Sequence, residues 1–155
     1  MTKSKNTKTL SVTKQIDFEA GHRLPFHHSK CKNLHGHHYV IEFSLEGIIN
    51  TTEGNTEQGM VVEFADIKKI AKEVIKGPWD HAFIAYEKDH AVIEFLNSLK
   101  DHKTVLTPLP PTAEHLADLA FDKLNEAIQK KYGQTLQLKR LRLYETPTSW
   151  AEVQA

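Results

Sequence analysis

The sequence is poor in several features that would assign it to common classes of protein. It has one cysteine in 155 residues, which excludes an internal disulfide and with it a disulfide-stapled secreted domain. Its 20 basic and 20 acidic side chains balance, so the net charge gives no reason to expect a nucleic-acid or membrane partner. No apolar run approaches the ~20 residues of a membrane-spanning helix. Residues 1–9 are polar and basic with no apolar run behind them, so we expect no signal peptide and a cytoplasmic protein.

A length of 155 residues suits one domain with a sizeable core and is short for two. The opening residues are polar, and the first alternating apolar pattern begins at Leu10. We therefore predict a disordered leader over residues 1–8 and a single domain over residues 9–155.

The most informative stretch runs from Cys31 to His38, because it places a thiol four residues before a His-x-His pair. In a β-strand alternate side chains share a face, so His35 and His37 point the same way. The apolar row of this strand continues on the same odd positions, so both imidazoles face the core. Two imidazoles on a core-facing row are costly unless they are hydrogen-bonded or bound to a metal.

A strand upstream offers a third imidazole. Over residues 10–22 the even positions are mostly apolar and alternate with polar ones, which is typical of a half-buried strand. Pairing this strand with residues 35–48 brings His22 toward His35 and His37. Three histidine ligands suit zinc and leave its fourth position open, although copper, nickel and iron also accept imidazole.

The loop between these strands carries groups with both a structural and a chemical interpretation. Nearby positive charge favours a thiolate, so Cys31 beside a metal is a candidate base or nucleophile. A lone cysteine is otherwise an inert small side chain. The loop cations Arg23, Lys30 and Lys32 are either solvated surface or a resting place for an anionic substrate tail.

Two carboxylates later in the chain are also ambiguous. Asp80 beside His81 is either an ordinary capping pair or a relay in which the carboxylate orients the imidazole. Glu145 ends a largely apolar strand, where it can pair with an arginine or accept two parallel donors from a ligand.

The rest of the chain reads as helices followed by two strands. Apolar residues at helical spacing predict three helices, which are 64–75 ending at Gly77-Pro78, 89–99 with Asp89 as N-cap, and 112–132 with Thr112 as N-cap. Residues 103–109 are expected to be a short extended link.

A strand at 134–145 shifts its apolar phase between Leu138 and Leu141, which predicts a bulge or a two-sided environment, and a last strand follows at 150–153. The order predicts an α+β fold with helices on one face of an antiparallel four-stranded sheet. Its uncovered face then argues for an oligomer.

Several motifs occur in an order that resembles the 6-pyruvoyl-tetrahydropterin synthase superfamily. They are Phe18-Glu19-Ala20-Gly21-His22-Arg23-Leu24, Cys31-x-x-x-His35-Gly36-His37, Gly59-Met60-Val61-Val62-Glu63-Phe64, Asp80-His81, Pro111-Thr112-Ala113-Glu114 and Glu145-Thr146. The three-residue gap between Cys31 and His35 is similar to the bacterial queuosine-pathway branch, the 6-carboxy-5,6,7,8-tetrahydropterin synthases. The segment 86–109 is longer than in compact relatives, and His115 replaces a usual asparagine.

The resemblance implies a tunnelling fold whose subunits form a ring around a shared barrel, commonly two trimers stacked as a hexamer. It implies zinc on His22, His35 and His37, with Cys31, Asp80 and His81 as the proton-transfer set. It also implies that Glu145, with Thr112 nearby, anchors a pterin ring.

The function implied by the resemblance is a zinc-dependent lyase. It would convert 7,8-dihydroneopterin triphosphate into 6-carboxy-5,6,7,8-tetrahydropterin, acetaldehyde and triphosphate, as part of queuosine biosynthesis. Three alternatives stay open at this point. They are 6-pyruvoyl-tetrahydropterin synthesis by triphosphate elimination, a zinc-dependent hydrolase that uses metal-bound water, and a non-catalytic pterin- or metal-binding protein.

Overall fold

The computed structural model describes residues 8–155, so the predicted leader lies outside the described residues apart from Lys8. The strands are β1 (Thr9–His22), β2 (His35–Ile48), β3 (Ala82–Tyr86), β4 (Thr104–Thr107), β5 (Leu136–Thr146) and β6 (Ser149–Gln154). The helices are α1 (Phe64–Ala71), α2 (Gly77–Trp79), α3 (His90–Asn97) and α4 (Ala113–Tyr132). Within residues 8–155, no helix has the length and apolarity needed to cross a bilayer.

All six strands form one mixed sheet in the order β4-β3-β1-β2-β5-β6. The α+β class is confirmed, but the prediction of four antiparallel strands is wrong. Strand β3 pairs in parallel with β1, and β4 pairs in parallel with β3. The predicted extended link at 103–109 contains β4, but its place in the sheet was not predicted, and β3 was missed. Strands of four or five residues show little alternation, and parallel partners lack the tight turn that marks a hairpin.

The pairing of β1 with β2 is antiparallel throughout, with Ala20 opposite His37 and His22 opposite His35. The even positions Ile16, Phe18, Ala20 and His22 are buried, which confirms the predicted face of β1. The odd positions of β2 are buried from Tyr39 to Leu45, as the alternation of that strand predicts.

The predicted phase shift in β5 is also present as a bulge. Leu138 lies opposite Leu45 and Arg140 lies opposite Ser44, so Lys139 is an extra residue in β5. The register change allows Leu138 and Leu141 both to be buried.

Helices α1 and α4 cover one face of the sheet and enclose the main core. The sequence predicted that the first helix ends at Gly77-Pro78, but helical backbone continues through these residues to Trp79. A wider π-helical segment, Lys72–Lys76, links α1 to α2, and the Gly77 N–H bonds the Lys72 carbonyl. Pro78 lacks an N–H and is tolerated because it opens the short α2 turn. Trp79 then lies in the core against Phe18, with ring centroids 5.7 Å apart.

The opposite face of the sheet is polar. Arg140 bonds Glu42 at 2.8 Å, and Arg142 bonds Glu152 at 2.7 Å. The Arg142 guanidinium also lies over the Trp150 ring, 4.9 Å from its centroid. The face that the helices leave open therefore carries charged pairs, so its exposure alone does not require an apolar partner surface.

Candidate functional site

Three histidines converge where β1 ends and β2 begins. The ring centroids of His22 and His35 are 4.6 Å apart, and that of His37 lies 5.1 Å from each. Each imidazole offers one nitrogen, and these nitrogens lie within 4.8 Å of one another. The antiparallel register produces this arrangement, because it pairs His22 with His35 and leaves His37 two residues along on the same face.

Backbone carbonyls fix two of the rings. The His22 Nδ1 lies 2.8 Å from the Pro111 carbonyl oxygen, and the His35 Nδ1 lies 2.7 Å from the Asn33 carbonyl oxygen. A carbonyl only accepts, so each Nδ1 carries the proton and donates it, which leaves the Nε2 lone pair for a ligand. The Nε2 atoms of His22 and His37 are buried without a hydrogen-bond partner. Buried polar atoms are rarely unpaired, so this donor set fits a metal ion.

Burial favours the neutral form of His22 and His37, which is the form that binds a metal. Burial lowers the pKa of His22 to about 4, against the raising effect of the Pro111 carbonyl. Positive charge on His35 or His37 would lower the pKa of His22 further. Burial also lowers the pKa of His37, and the nearby Glu145 carboxylate opposes that shift.

Glu145 approaches the same cluster from β5. Its carboxylate oxygens lie 3.7 Å from the His37 Nε2 and 4.0 Å from the His22 Nε2. The side chain is 25% exposed, so a ligand can still reach it. Below it, the Tyr39 hydroxyl lies 3.3 Å from the His22 Nδ1, and burial raises the pKa of Tyr39, with the Glu145 charge adding to the effect.

Thr112 lies beside the cluster as the N-cap of α4, as predicted. Its hydroxyl oxygen accepts the His115 N–H at 3.2 Å. This cap sets where the preceding Pro111 carbonyl points, and that carbonyl holds the His22 ring. Sequence reasoning missed the part played by Pro111, because a backbone carbonyl carries no residue-type signal.

Cys31 lies in a short 3-10 turn, Lys30–Lys32, in the loop between β1 and β2. The turn is held because the Leu24 N–H donates to the Cys31 carbonyl at 2.8 Å. The cysteine is partly exposed and free. Among the described residues, no hydrogen bond or ion pair links its thiol to the three histidines.

Asp80 and His81 follow α2 and lie beside β1. The Asp80 Oδ2 is 3.0 Å from the His81 Nδ1, so the carboxylate orients the imidazole. The Asp80 Oδ1 accepts the Glu19 N–H at 2.9 Å, and this bond, followed by the one to His81, lowers the pKa of Asp80. His81 is 77% exposed. Over residues 8–155, no hydrogen bond or ion pair joins this pair to Cys31 or to the histidine cluster.

Of the loop cations, Arg23 is already paired with a carboxylate. Arg23 makes two bonds of 2.6 Å to the carboxylate of Asp89, which is almost fully buried. This pairing lowers the pKa of Asp89 and raises that of Arg23. Arg23 therefore anchors the start of α3, and the suggestion that it meets an anionic substrate tail loses support.

Comparison with known proteins agrees with this geometry. The family description 6-pyruvoyl tetrahydropterin synthase matches residues 11–155. A 6-carboxy-5,6,7,8-tetrahydropterin synthase from Haemophilus influenzae is 36% identical, over 92% of this chain and 97% of the relative. One of the same name from Rickettsia felis is 35% identical, over 93% of this chain and 99% of the relative.

A solved structure extends the likeness to three dimensions. The 6-pyruvoyl tetrahydropterin synthase of Caenorhabditis elegans superposes with a TM-score of 0.66 at 25% identity, over 96% of each chain. A family match over nearly the whole chain and relatives above 30% identity agree with the histidine cluster at the end of β1. The chain therefore belongs to the 6-pyruvoyl tetrahydropterin synthase family.

Proposed function

We propose that this chain is a 6-carboxy-5,6,7,8-tetrahydropterin synthase. The reaction converts 7,8-dihydroneopterin triphosphate and one water molecule into 6-carboxy-5,6,7,8-tetrahydropterin, acetaldehyde and triphosphate. The observation that carries the proposal is the group of three converging histidines, in which the Nε2 atoms of His22 and His37 are buried and unpaired and Glu145 lies against them. The relatives of this name at 35–36% identity favour the carboxy-pterin product over the pyruvoyl one.

Zinc is the metal that we assign to His22, His35 and His37. A bound zinc ion supplies a Lewis acid that stabilises charge developing on substrate oxygens. The protein's own contribution is to favour neutral His22 and His37 by burial, and to orient His22 and His35 through the Pro111 and Asn33 carbonyls.

Glu145 is proposed to anchor the pterin ring, with Thr112 nearby. A carboxylate matches the paired N–H donors on one edge of a pterin, and such charge-assisted pairs are strong. Its position 3.7 Å from the His37 Nε2 would hold the ring beside the metal and direct the ring's side chain toward it.

Cys31 is proposed as the general base, taking a proton from a side-chain carbon of the substrate onto its sulfur. His81 is proposed to move the other proton, with Asp80 holding the imidazole and stabilising its cation. Within residues 8–155, no hydrogen bond or ion pair joins this pair to Cys31, so we propose that the site is completed between subunits.

The sheet has edges that suit such an assembly. Within the described residues, β3 lies beside only Ala20–His22 of β1, so residues 9–19 of that strand have no strand on this side. Strand β6 likewise pairs only with β5. Both edges belong to the antiparallel part of the sheet, and joining them between subunits would close a ring. We propose a homo-oligomer of this kind, in which two stacked trimers form a hexamer. A monomer in light scattering at micromolar concentration would contradict it.

Mass spectrometry of the products from 7,8-dihydroneopterin triphosphate tests the function. Equal amounts of acetaldehyde and a 6-carboxy pterin are expected. A pyruvoyl pterin without acetaldehyde would assign the chain to the other activity of the family. Phosphate release that persists in Cys31→Ala would indicate a hydrolase, and tight pterin binding without turnover would indicate a binding protein.

A further inference from the structure

The segment between Tyr86 and α4 contains Lys103, whose side chain lies beside the Asp80–His81 pair. The Lys103 ammonium donates to the Gly77 carbonyl at 2.7 Å and to the Asp80 carbonyl at 2.6 Å. Its own carbonyl accepts the Phe83 N–H at 3.0 Å. Lys103 is therefore tied, through side chain and backbone, to residues on both sides of His81.

The backbone at His81 is unusual. Its φ is 59°, in the left-handed region that few residues other than glycine adopt, although histidine, like asparagine and aspartate, does so more often than most. Such a conformation persists only where the surrounding structure holds it.

The peptide unit between Asp80 and His81 is bonded at both ends. On one side, the His81 N–H donates to the Glu19 carbonyl at 2.7 Å. On the other side, the Asp80 carbonyl accepts from Lys103 at 2.6 Å. Glu19 thus ties this peptide to β1, and Lys103 ties it to the segment that leads into β4. Losing either bond would free the peptide to rotate and the His81 ring to leave the Asp80 carboxylate.

We propose that Lys103 is a positioning residue for the Asp80–His81 pair. It acts through the backbone, because its ammonium bonds the carbonyl that precedes His81 and, within residues 8–155, makes no hydrogen bond or ion pair with the His81 ring or the Asp80 carboxylate. The pairing of β3 with β4, in which Phe83 lies opposite Thr104, delivers the lysine to this place. The inference rests on the proposed function, in which His81 moves a proton.

A simpler role for Lys103 is to cap the end of α2, since lysines commonly bond the last carbonyls of a helix. The two roles predict different results. A cap stabilises the fold as a whole, whereas a positioning residue changes turnover and the local exchange of one amide. The comparison of Lys103→Met with Lys100→Met separates them. Lys100 is exposed and, within the described residues, makes no side-chain hydrogen bond or ion pair, so it is a matched control.

The test measures kcat and KM on the intact oligomer, together with hydrogen exchange of backbone amides. In Lys103→Met we expect kcat to fall about 10- to 100-fold, the scale of a small misplacement of a catalytic group. We expect KM and metal content to stay within about twofold, and His81 amide exchange to speed up about tenfold while Ile41 is unchanged. Lys100→Met is expected to match the wild type in every measurement.

Several results would overturn the proposal. If Lys103→Met leaves both kcat and the exchange rate of the His81 amide unchanged, Lys103 does not position the Asp80–His81 pair. Faster exchange at His81 and Ile41 together, with kcat unchanged, would reduce Lys103 to a helix cap. Faster exchange at His81 alone with unchanged kcat would remove its role in turnover, and His81→Ala would then show whether the proposed role of His81 fails as well. If Lys103→Met does not fold, Lys103→Gln, which keeps a donor without the charge, is measured in the same way.

Discussion

The antiparallel pair β1–β2 and the parallel pair β3–β4 meet at Ala20–His22, yet they hold their polar residues by different means. The histidines of the first pair are placed by strand register and burial, and carbonyls fix two of their rings. The second pair and its flanks are tied to β1 and α2 by charged side chains, through Arg23 with Asp89 and through Lys103. The first arrangement is set by packing and the second by a few charged hydrogen bonds. Mutations in the two regions therefore have different expected consequences.

The largest expected effect tests the register of β1–β2. His35→Ala removes one of three converging nitrogens. Losing a residue that only hydrogen-bonds a metal ligand lowers metal affinity by up to about 100-fold, so losing a ligand itself should lower zinc affinity by more than that. His38→Ala is the matched control, since His38 lies on the other face and pairs with Glu19 and Asp17. Metal analysis of both purified variants measures the difference. Equal loss in the two would show that the face assignment is wrong.

The next effect tests the loop that joins β1 to β2. Cys31→Ala is expected to keep its fold and its zinc, because the side chain is small and partly exposed. Turnover is expected to fall by about 100-fold or more, the scale of a positioned general base. Steady-state kinetics with the pterin triphosphate measures it, and iodoacetamide should inactivate the wild type unless pterin is bound. A variant with near wild-type turnover would remove the thiol from the mechanism.

Glu145→Gln asks whether the carboxylate beside the histidines binds substrate or only balances charge. The amide keeps the shape but loses a charge-assisted pair, so we expect KM to rise by about 10- to 100-fold with zinc content unchanged. Glu114→Gln, at an exposed position in the first turn of α4, is the control. Loss of zinc in Glu145→Gln would identify the carboxylate as a metal ligand instead.

The smallest expected effect tests the charged tether of the second region. Asp89→Asn leaves the partly exposed Arg23 without its carboxylate, and we expect the free energy of unfolding to fall by about 2 kcal/mol. This value lies between the small effect of breaking an exposed ion pair and the larger effect of breaking a buried one. The pKa of Asp89 is lowered in the folded state, so its contribution is present above the ordinary carboxyl pKa and is lost as pH falls through the lowered value. Urea denaturation at neutral and acid pH measures both. Asp118→Asn, at an exposed position on α4, should change neither.

Sequence alone predicted the first region well. Long alternating strands give the same answer at many positions, so the face of β1, the convergence of the histidines and the bulge near Lys139 could all be anticipated. In the second region, the predicted extended link at 103–109 contains β4 (Thr104–Thr107), but β3 and the parallel pairing escaped prediction because these strands are short. Its key contacts, such as Lys103 with the Asp80 carbonyl, join a side chain to backbone over 23 positions of the chain, a separation that no local pattern records.

The bulge in β5 decides which side chain faces the candidate metal site. If Lys139 took an ordinary place in a regular strand that buries Leu138, Tyr144 would point toward the histidines and Glu145 toward the polar face of the sheet. Because Lys139 is instead left without a partner in β2, Glu145, six positions farther along the chain, shares the face of Leu138 and Leu141. A variant that lacks Lys139 would have a regular β5 with Glu145 still facing the histidines, so the carboxylate depends on Lys139 staying out of the ladder.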